Sequence, residues 1–440
     1  MSTSSTGARE GDRRWGFATR AVHAGGGPDP TTGARAVPVY LSSGFVFEDT
    51  DDAANLFALQ KYGTIYSRIS NPTVAAFEER MASLEGGLGA VATSSGQSAQ
   101  FLTFAALAGA GDHVVASAGL YGGTVTQLDV TLRRFGVDTT FVAGGDPADY
   151  AAATTDRTKL VFTELVSNPA SEVADVGGLA DVAHAAGVPL VVDATTATPY
   201  LCRPIEHGAD VVVHSATKFL GGHGTTIAGV VVESGTFDWG NGRFPTMTEP
   251  TPSYGGIRWW DNFGEYGFLT KLRSEQLRDI GACLDPMSAF LLLQGLETLP
   301  QRMRDHVANA QRVAEWLAAD DRVAWVKYAG LPGHPHAGRV ERYLPKGPGA
   351  VFSFGVVGGR PAGRRFIESV RLCSHLANIG DARTLVIHPA STTHQQLGDR
   401  QLEAAGVPPD LVRISVGIED VDDILWDLDQ ALTAATKEAS

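Results

Sequence analysis

Cysteine is scarce in the 440-residue sequence, which contains only Cys202, Cys283 and Cys373, far apart and without a Cys-x-x-Cys pair. This argues against a disulfide framework and against a zinc site, and it is typical of a reducing cytoplasm. No other metal-binding pattern is present, so no metal is predicted. No apolar run approaches the ~20 residues of a membrane-spanning helix. Residues 1–14 lack the apolar segment of a signal peptide and are predicted to be disordered.

Positive charge is scarce as well. The chain has 35 lysines and arginines against 49 aspartates and glutamates, a net charge of −14. Nucleic acid or an acidic membrane surface would require a basic face, so neither is an expected partner. With 43% hydrophobic and 19% charged residues, the composition is that of a globular protein. The length suits two or three domains with a large core.

Only seven lysines occur, and one of them follows directly on an apolar segment. One apolar run ends on Asp193, and a second, Val-Val-Val, leads into His-Ser-Ala-Thr-Lys, which ends at Lys218. Both runs are short and β-branched, so they predict buried strands of a parallel sheet. Open α/β sheets bind their ligands beyond the carboxyl ends of the strands. We therefore expect Asp193, Ser215, Thr217 and Lys218 to lie at one ligand-binding edge.

This set of groups suits pyridoxal phosphate. The amine of Lys218 can form the Schiff base, the carboxylate of Asp193 can keep the pyridine nitrogen protonated, and the two hydroxyls can take phosphate oxygens. Each residue also has an ordinary explanation. An aspartate at a strand end is usually a turn former or a helix cap, and a lone lysine is usually a solvated charge. The rest of the chain has to decide between these interpretations.

Three further features are candidates for the same site. The turn at residues 94–97 opens a helix and would aim N–H groups at an anion, although many helices begin this way. Tyr121 could stack on a flat ring, although a tyrosine beside two glycines is more often a packed turn residue. Tyr66 and Arg68 end a proline-rich segment, and arginine binds phosphate bidentately. An interface tyrosine and a surface arginine explain that pair equally well.

Strands and helices alternate from about residue 84, which predicts an α/β fold with a mostly parallel sheet and helices on both faces. We predict an N-terminal arm at residues 1–69 that reaches a neighbouring subunit. A cofactor-binding domain follows at residues 70–283, and a smaller α+β domain at residues 284–440. Residues 234–268 are rich in glycine, proline and aromatic residues. They predict an irregular loop, packed at a subunit interface in preference to the rim of the site.

Several longer motifs resemble one known family. They are Tyr-Ser-Arg at 66–68 with Asn-Pro-Thr at 71–73, residues 210–218, Gly-Gly-His-Gly at 221–224, Ile-Gly-Asp at 379–381, residues 388–394 and Arg-Ile-Ser-Val-Gly-Ile-Glu at 413–419. Through these motifs the chain resembles, from about residue 19 to residue 432, the cysteine/methionine metabolism (trans-sulfuration) family of fold-type I pyridoxal-phosphate transferases. Within that family it is most similar to the O-acetylhomoserine sulfhydrylases, also called O-acetylhomoserine aminocarboxypropyltransferases.

The resemblance implies roles around the cofactor ring. Lys218 is expected to hold the cofactor and to carry protons between substrate carbons. Asp193 is expected to pair with the ring N–H, and Tyr121 to stack on the ring and help activate the incoming amine. Asn168 is expected near the phenolic oxygen, and Thr195 beside the ring.

The resemblance also implies how the phosphate and the substrate are bound. The expected phosphate ligands are the backbone of Ser95, Gly96 and Gln97 and the hydroxyls of Ser215 and Thr217. Tyr66 and Arg68 would reach the same phosphate from a neighbouring subunit of a homo-oligomer, most simply a tetramer, and Tyr66 would also touch substrate. Arg413 would bind the substrate carboxylate, helped by Asn378.

The implied activity belongs to methionine biosynthesis. O-acetyl-L-homoserine would lose acetate, and sulfide or a small thiol would replace it to give L-homocysteine or methionine. The segment 239–268 is similar to the longer sulfhydrylase type. Gly123 stands where methionine γ-lyases are expected to have cysteine, which argues against that activity. Ala-Thr-Thr at 194–196 replaces the commoner Asn-Thr-Phe and leaves the nucleophile open.

Other activities stay open at this point. Cystathionine γ-synthases and γ-lyases belong to the same family, and the leaving group could be acetyl, succinyl or phospho. An aminotransferase uses the same lysine and aspartate, but it normally lacks the Tyr66 and Arg68 clamp. A non-catalytic cofactor-binding protein is the remaining alternative, because a fold alone does not determine a function.

Overall fold

The computed structural model describes residues 15–168, 170–392, 395 and 407–436. The segment 1–14, for which disorder is predicted, and the last two residues of the 388–394 motif lie outside the described residues. Among the described helices, none is both long and apolar enough to cross a membrane.

A seven-stranded sheet forms the centre of the molecule. Its strands are, in chain order, β1 (Gly89–Thr93), β2 (His113–Ser117), β3 (Asp138–Val142), β4 (Thr158–Glu164), β5 (Leu190–Asp193), β6 (Val211–Ser215) and β7 (Gly229–Glu233). Their spatial order is β1-β7-β6-β5-β4-β2-β3. The neighbours from β6 to β3 are parallel, and β7 is antiparallel to both β1 and β6. The predicted mostly parallel sheet is confirmed.

The apolar core lies on both faces of this sheet, as the runs of valine and leucine predict. In β6, Val212 belongs to one buried cluster, whereas Val211 and Val213 belong to the other. Successive side chains of a strand point to opposite faces, so both faces of β6 are covered by protein. The polar residue that ends β6, Ser215, is half-buried at the edge of the sheet.

A second, five-stranded sheet follows in the C-terminal part. Its strands are β8 (Val323–Lys327), β9 (Val351–Val356), β10 (Ser374–His375), β11 (Leu385–Ile387) and β12 (Leu411–Ser415), in the order β10-β11-β12-β9-β8. Only the β10–β11 pair is parallel within this part of the described chain. The predicted α+β arrangement is therefore confirmed, while the domain boundaries stay a prediction. One buried cluster contains residues of both sheets, for example Val192 and Phe354.

Helices pack around both sheets. Among the described residues, the α-helices are Phe17–His23, Thr50–Phe57, Pro72–Glu85, Gly96–Leu107, Gly122–Thr126, Pro147–Ala153, Val176–Ala185, Thr198–Leu201, Pro245–Thr248, Trp259–Phe263, Gly267–Lys271, Arg278–Ile280, Pro286–Glu297, Leu299–Ala318, Ala337–Tyr343, Gly359–Ser369 and Val421–Thr436. The π-helical segments are Gln127–Leu132 and Leu272–Leu277, and the 3₁₀ turns are Pro204–His207, Pro252–Tyr254, Gly264–Tyr266 and Pro389–Ser391.

The structure corrects one part of the prediction for residues 234–268, the packing of the aromatic side chains, and leaves the predicted subunit interface untested. The segment contains short helices, and several of its large aromatic side chains are buried in the core of the same chain, namely Phe237, Trp239, Phe244, Trp259 and Phe268. Tyr266, in contrast, is 49% exposed. The rings of Trp239 and Phe268 stack 4.7 Å apart, and the Trp239 Nε1–H donates to Glu233 Oε1 at 2.6 Å. A composition rich in aromatic residues and proline suits either an interface or a core, because both bury apolar surface. Only the tertiary contacts distinguish them.

The N-terminal arm is less extended than predicted. It contains the helices Phe17–His23 and Thr50–Phe57. The second begins after Asp49, whose side chain accepts a hydrogen bond from the Asp52 N–H, an N-cap that satisfies one of the free donors of the first turn. Both helices are only about two turns long. Segments of this length are too short to reveal the helical periodicity of hydrophobic residues in the sequence.

Candidate active site

A cavity of about 270 Å³ opens at the carboxyl ends of three parallel strands. The last residues of β4, β5 and β6, which are Glu164, Asp193 and Ser215, all line it. This is the edge at which open α/β sheets bind their ligands. Apart from Tyr66 and Arg68, every residue that we predicted for the site lies on its wall.

Lys218 follows β6 in a tight loop. Its backbone N–H donates to Ser215 O at 3.2 Å, and the Gly222 N–H donates to Lys218 O at 2.7 Å. The Lys218 Nζ donates to Asn378 Oδ1. Burial of the amine, and next the positive charge of Arg413, lower its pKa to about 8. About a tenth of this amine is therefore neutral at pH 7, far more than for an unperturbed lysine, which favours its use as a nucleophile or a general base.

Asp193 is half-buried and is held by two hydrogen bonds. Its Oδ2 accepts from Gln100 Nε2 at 2.8 Å, and its Oδ1 accepts from the Thr195 N–H at 2.9 Å. In the ranges that the structure covers, no lysine or arginine forms an ion pair with it. The carboxylate is therefore oriented while its charge stays available to a ligand in the cavity.

Gln100 is a residue that the sequence interpretation missed. It is buried and links Asp193 to the Thr124 hydroxyl, which donates to Gln100 Oε1 at 2.9 Å. The available signal was a glutamine within the otherwise small or apolar residues 99–107, one turn after Gly96 on the same helix face. A buried side-chain amide in such a helix needs hydrogen-bond partners, and strand-end polar groups can supply them.

The helix Gly96–Leu107 begins at the cavity wall. Ser95 is its N-cap, and the Ser95 Oγ accepts from the Ser98 N–H at 3.1 Å. A Cβ atom on Gly96 would lie 2.6 Å from Ser215 Cβ, so glycine allows the helix start to approach the end of β6. The first N–H groups of a helix have no intrahelical acceptor and can bind an anion. Gln97 continues this edge of the cavity.

Hydroxyl groups lie opposite this helix start. The Ser215 N–H donates to Thr195 Oγ1 at 2.8 Å, which fixes Thr195 beside the end of β6. The Thr217 Oγ1 donates to Ala228 O at 3.2 Å and accepts from the Ala228 N–H at 3.0 Å. Ser215, Thr217 and Thr195 therefore line the cavity with orientations that the backbone determines.

Tyr121 and Asn168 are two more residues of the cavity wall. The Tyr121 N–H donates to Glu164 Oε1 at 2.6 Å, and the Tyr121 side chain is 53% exposed. The Asn168 Oδ1 is buried but has no hydrogen-bond partner within the described part of the chain. Because buried polar atoms are normally paired, this amide is suited to a polar atom of a bound molecule.

The second sheet supplies the far side of the cavity. Arg413 lies in β12, and its Nη2 donates to Asn378 O at 3.1 Å. Burial lowers the pKa of Arg413 to about 10, so the guanidinium stays charged at neutral pH. A guanidinium that keeps donors free can bind a carboxylate bidentately. Asn378 is thus the residue that contacts both Lys218 and Arg413.

Tyr66 and Arg68 do not line the cavity. Both are exposed, and the Arg68 guanidinium lies over the Tyr66 ring, 5.4 Å from its centroid. The Ser67 N–H donates to Ser43 O at 2.9 Å, which holds the segment against the arm. Within one chain the structure does not bring this pair to the other predicted residues.

The sequence and the structure were compared with those of known proteins. The sequence model of one protein family, described as Cys/Met metabolism PLP-dependent enzyme, matches residues 18–433. The chain belongs to this family. It is therefore a pyridoxal-phosphate-dependent enzyme of fold-type I.

Individual relatives are similar over nearly their whole length. Sulfhydrylase FUB7 from Fusarium oxysporum f. sp. lycopersici is 52% identical, over 95% of this chain and 98% of that protein. Homocysteine synthase from Schizosaccharomyces pombe is 50% identical, with coverages of 95% and 98%. O-acetyl-L-homoserine sulfhydrylase from Leptospira meyeri is 47% identical, with coverages of 94% and 96%.

A solved structure is similar as well. A crystal structure from Campylobacter jejuni, named as an O-acetylhomoserine (thiol)-lyase, superimposes with a TM-score of 0.91 at 35% identity. The alignment covers 95% of this chain and 100% of the other. One lysine of that protein is modified to N'-pyridoxyl-lysine-5'-monophosphate.

The residues of the cavity fit pyridoxal phosphate. An amine with a lowered pKa, an oriented carboxylate, a helix start and an unpartnered buried amide all face one space. These are the donors and acceptors that an aldehyde, a pyridine nitrogen, a phosphate and a phenolic oxygen require. The roles of the single residues stay predictions.

Proposed function

We propose that this enzyme catalyses γ-replacement on O-acetyl-L-homoserine, in which sulfide displaces acetate to give L-homocysteine. A small thiol in place of sulfide would give methionine or a related thioether. The observation that carries the proposal is the placement of Lys218 and Arg413 in one cavity, where both contact Asn378. The relatives named as homocysteine synthase and O-acetyl-L-homoserine sulfhydrylase support it.

The cofactor supplies one part of the chemistry: when bound, pyridoxal phosphate withdraws electrons from the substrate carbon next to the amino group. Lys218 holds the cofactor, and its Nζ, once released, takes protons from the α- and β-carbons in turn and returns them later. The lowered pKa of Lys218 suits this exchange, because a catalytic base works best with a pKa near the working pH.

The remaining residues bind and orient. Arg413 holds the substrate carboxylate through two charge-assisted hydrogen bonds. Asn378 accepts hydrogen bonds from both Arg413 and Lys218 and so fixes their relative position. Asp193 accepts the N–H of the pyridine ring. The phosphate is held by the backbone of Ser95, Gly96 and Gln97 and by the hydroxyls of Ser215 and Thr217. Tyr121 covers the ring. Asn168 and Thr195 bind at the edges of the ring.

We also propose that the site is completed by a second copy of the chain in a homo-oligomer. Tyr66 and Arg68 are exposed and lie outside the cavity of their own chain. The same arm exposes large apolar side chains, among them Leu41 and Val46, which a subunit interface would cover. The proposed oligomer is a tetramer built from dimers. We also propose a cytoplasmic location, which the three free cysteines support.

Product analysis tests the function. The purified enzyme with bound pyridoxal phosphate is incubated with O-acetyl-L-homoserine, with and without sulfide, and amino acids, acetate, keto acids and ammonia are quantified. We expect equal amounts of homocysteine and acetate, formed only with sulfide. Release of a keto acid and ammonia without sulfide would overturn the proposal in favour of a lyase. Conversion only with cysteine, to cystathionine, would overturn it in favour of a synthase.

A further inference from the structure

Glu164 lies on the cavity wall but has no part in the reaction proposed above. It is the last residue of β4, and in the register of the parallel sheet it is paired with Asp193, the last residue of β5. Paired residues of neighbouring strands point to the same face of a sheet. Two carboxyl groups therefore stand side by side at the edge where the cofactor binds.

The surroundings of Glu164 disfavour a second negative charge. The side chain is 9% exposed, and across the described ranges no ion pair joins it to lysine or arginine. Its hydrogen-bond donors include the backbone N–H groups of Tyr121 and Asn168, which favour the ionised form, but a buried carboxylate without a cationic partner stays costly. Burial, and next the charge of Asp193, raise the pKa of Glu164 to about 8. The titratable or charged side chains that share the cavity wall with it are Asp193, Tyr121, Lys218 and Arg413.

Glu164 makes one hydrogen bond with a direct consequence for the site. Its Oε1 accepts from the Tyr121 N–H at 2.6 Å. On the other side, Tyr121 O accepts from the N–H groups of Thr124 and Val125 at 2.8 and 3.1 Å. The backbone of Tyr121 is thus tied both to the end of β4 and to the start of the helix Gly122–Thr126.

The position of the Tyr121 ring depends on this backbone anchor. The ring is about half exposed and packs beside Gly123, where a Cβ atom would lie 2.5 Å from Tyr121 Cε1. Glycine leaves room for the ring but adds no side chain that could hold it. The hydrogen bond from the Tyr121 N–H to Glu164 is therefore the contact that links the ring to the rigid sheet.

We propose that Glu164 is a positioning residue that fixes Tyr121 over the bound cofactor ring. Its carboxyl oxygen accepts the Tyr121 N–H and holds the start of the helix Gly122–Thr126 against the end of β4. The inference rests on the ring-stacking role proposed for Tyr121 and not on the identity of the substrate. It is therefore testable with pyridoxal phosphate alone, even if the reaction proposed above is wrong.

The experiment compares Glu164→Ala, Glu164→Gln, Tyr121→Ala and the double variant Glu164→Ala/Tyr121→Ala. Pyridoxal phosphate is titrated into each cofactor-free protein to obtain Kd, and the visible circular dichroism of the bound cofactor reports the orientation of its ring. Thermal unfolding of each variant measures any general loss of stability. Glu233→Ala is the matched control, because Glu233 is a buried carboxyl on β7 that bonds Trp239 and does not line the cavity.

We expect Glu164→Ala to raise Kd about three- to tenfold, the effect of one lost hydrogen bond, and to change the dichroism. Glu164→Gln should stay within about twofold with unchanged dichroism, because the amide oxygen also accepts an N–H as a neutral group. The double variant should bind no more weakly than Tyr121→Ala, since coupled residues are not additive. Glu233→Ala should lower the unfolding temperature without changing Kd.

Three results would overturn the inference. An unchanged Kd and dichroism in Glu164→Ala would show that Tyr121 does not depend on this contact. Losses that multiply in the double variant would show that the two residues act separately. A Glu164→Gln variant as defective as Glu164→Ala would show that a charged carboxylate is needed. If Glu164→Ala does not fold, Glu164→Leu replaces it under the same expectations, because leucine fills the volume without an acceptor.

Discussion

The cavity and the N-terminal arm each contain an arginine that we predict to bind an anion, but in opposite settings. Arg413 is half-buried in β12, bonds the Asn378 carbonyl and shares the cavity with Lys218. Arg68 is exposed and contacts the Tyr66 ring of its own segment. The fold of one chain therefore assembles the side of the site that we propose to hold the cofactor and the substrate. In the arm, Tyr66 and Arg68 are exposed to solvent. This is expected if they bind in the cavity of a neighbouring chain.

Among the residues of the cavity, we expect substitution of Lys218 to cause the largest loss of activity. We expect Lys218→Ala to lower homocysteine formation at least about a thousandfold, because it removes both the covalent anchor and the catalytic base. Turnover and the visible absorbance of bound cofactor measure the effect. The control is Lys327→Ala, an exposed lysine on β8 that should leave both unchanged. Turnover of Lys218→Ala within tenfold of the unmodified enzyme would contradict the assignment.

Arg413 is the next largest effect. Lysine at this position keeps the charge but loses the bidentate fork. We expect Arg413→Lys to raise KM for O-acetyl-L-homoserine about 10- to 100-fold, since a hydrogen bond to a charged group contributes about 1.5–3 kcal/mol. Steady-state kinetics measure KM and kcat. Arg383→Lys is the control, because Arg383 is exposed in the loop before β11. An unchanged KM in Arg413→Lys would show that Arg413 does not bind the substrate carboxylate.

The arm side is tested by mixing two inactive proteins. Arg68→Ala and Arg413→Ala are unfolded together, refolded and assayed. If Arg68 serves the partner's cavity, a mixed dimer contains one intact site of two, and a random mixture regains about one quarter of full activity. If Arg68 serves its own chain, every chain in the mixture has one defect and no activity returns. Native mass spectrometry confirms that mixed oligomers have formed.

A smaller effect concerns stability without cofactor. The folded chain releases the Lys218 proton near pH 8, whereas the unfolded chain keeps it to about 10.5. The unfolded state therefore binds more protons between these values, so the contribution of this group to stability is lowest below pH 8 and rises up to about pH 10.5. We expect Lys218→Met to be about 1–2 kcal/mol more stable at pH 7.

Urea unfolding of the two cofactor-free proteins from pH 7 to pH 10.5 tests this expectation. The difference in the free energy of unfolding should shrink as the pH rises. Arg68→Met provides the contrast, because an exposed guanidinium should give a difference that does not change over this range. A gap between Lys218→Met and the unmodified protein that is constant or grows with pH would contradict the burial of the Lys218 amine.

The sequence predicts one part of the site well for a physical reason. Asp193 and Lys218 follow short apolar runs, and in a parallel sheet the ends of such runs meet at one edge. Local patterns therefore bring distant residues together without further information. Glu164 also ends such a run, at the end of β4, and it was missed because a glutamate at a strand end has no chemical signature of its own.

Other features depend on contacts that no local pattern encodes. The hydrogen bond between Gln100 and Asp193 joins residues 93 positions apart. Several aromatic residues of 234–268, among them Trp239 and Phe268, pack in the core of their own chain, although the composition of the segment suited an interface equally well. The roles that we propose for Tyr66 and Arg68 require a second chain, which no local pattern can show. Their roles therefore stay predictions until the mixed oligomers are assayed.

Lys218 is the central assignment, as the residue that we propose to hold pyridoxal phosphate. The direct measurement is reduction of the enzyme–cofactor complex with borohydride, digestion, and mass spectrometry of the peptides. Seven lysines are present, so the position is informative. We expect one pyridoxyl group per chain, on the peptide that contains Lys218. A pyridoxyl group on another lysine, or none on an enzyme that forms homocysteine, would contradict this assignment.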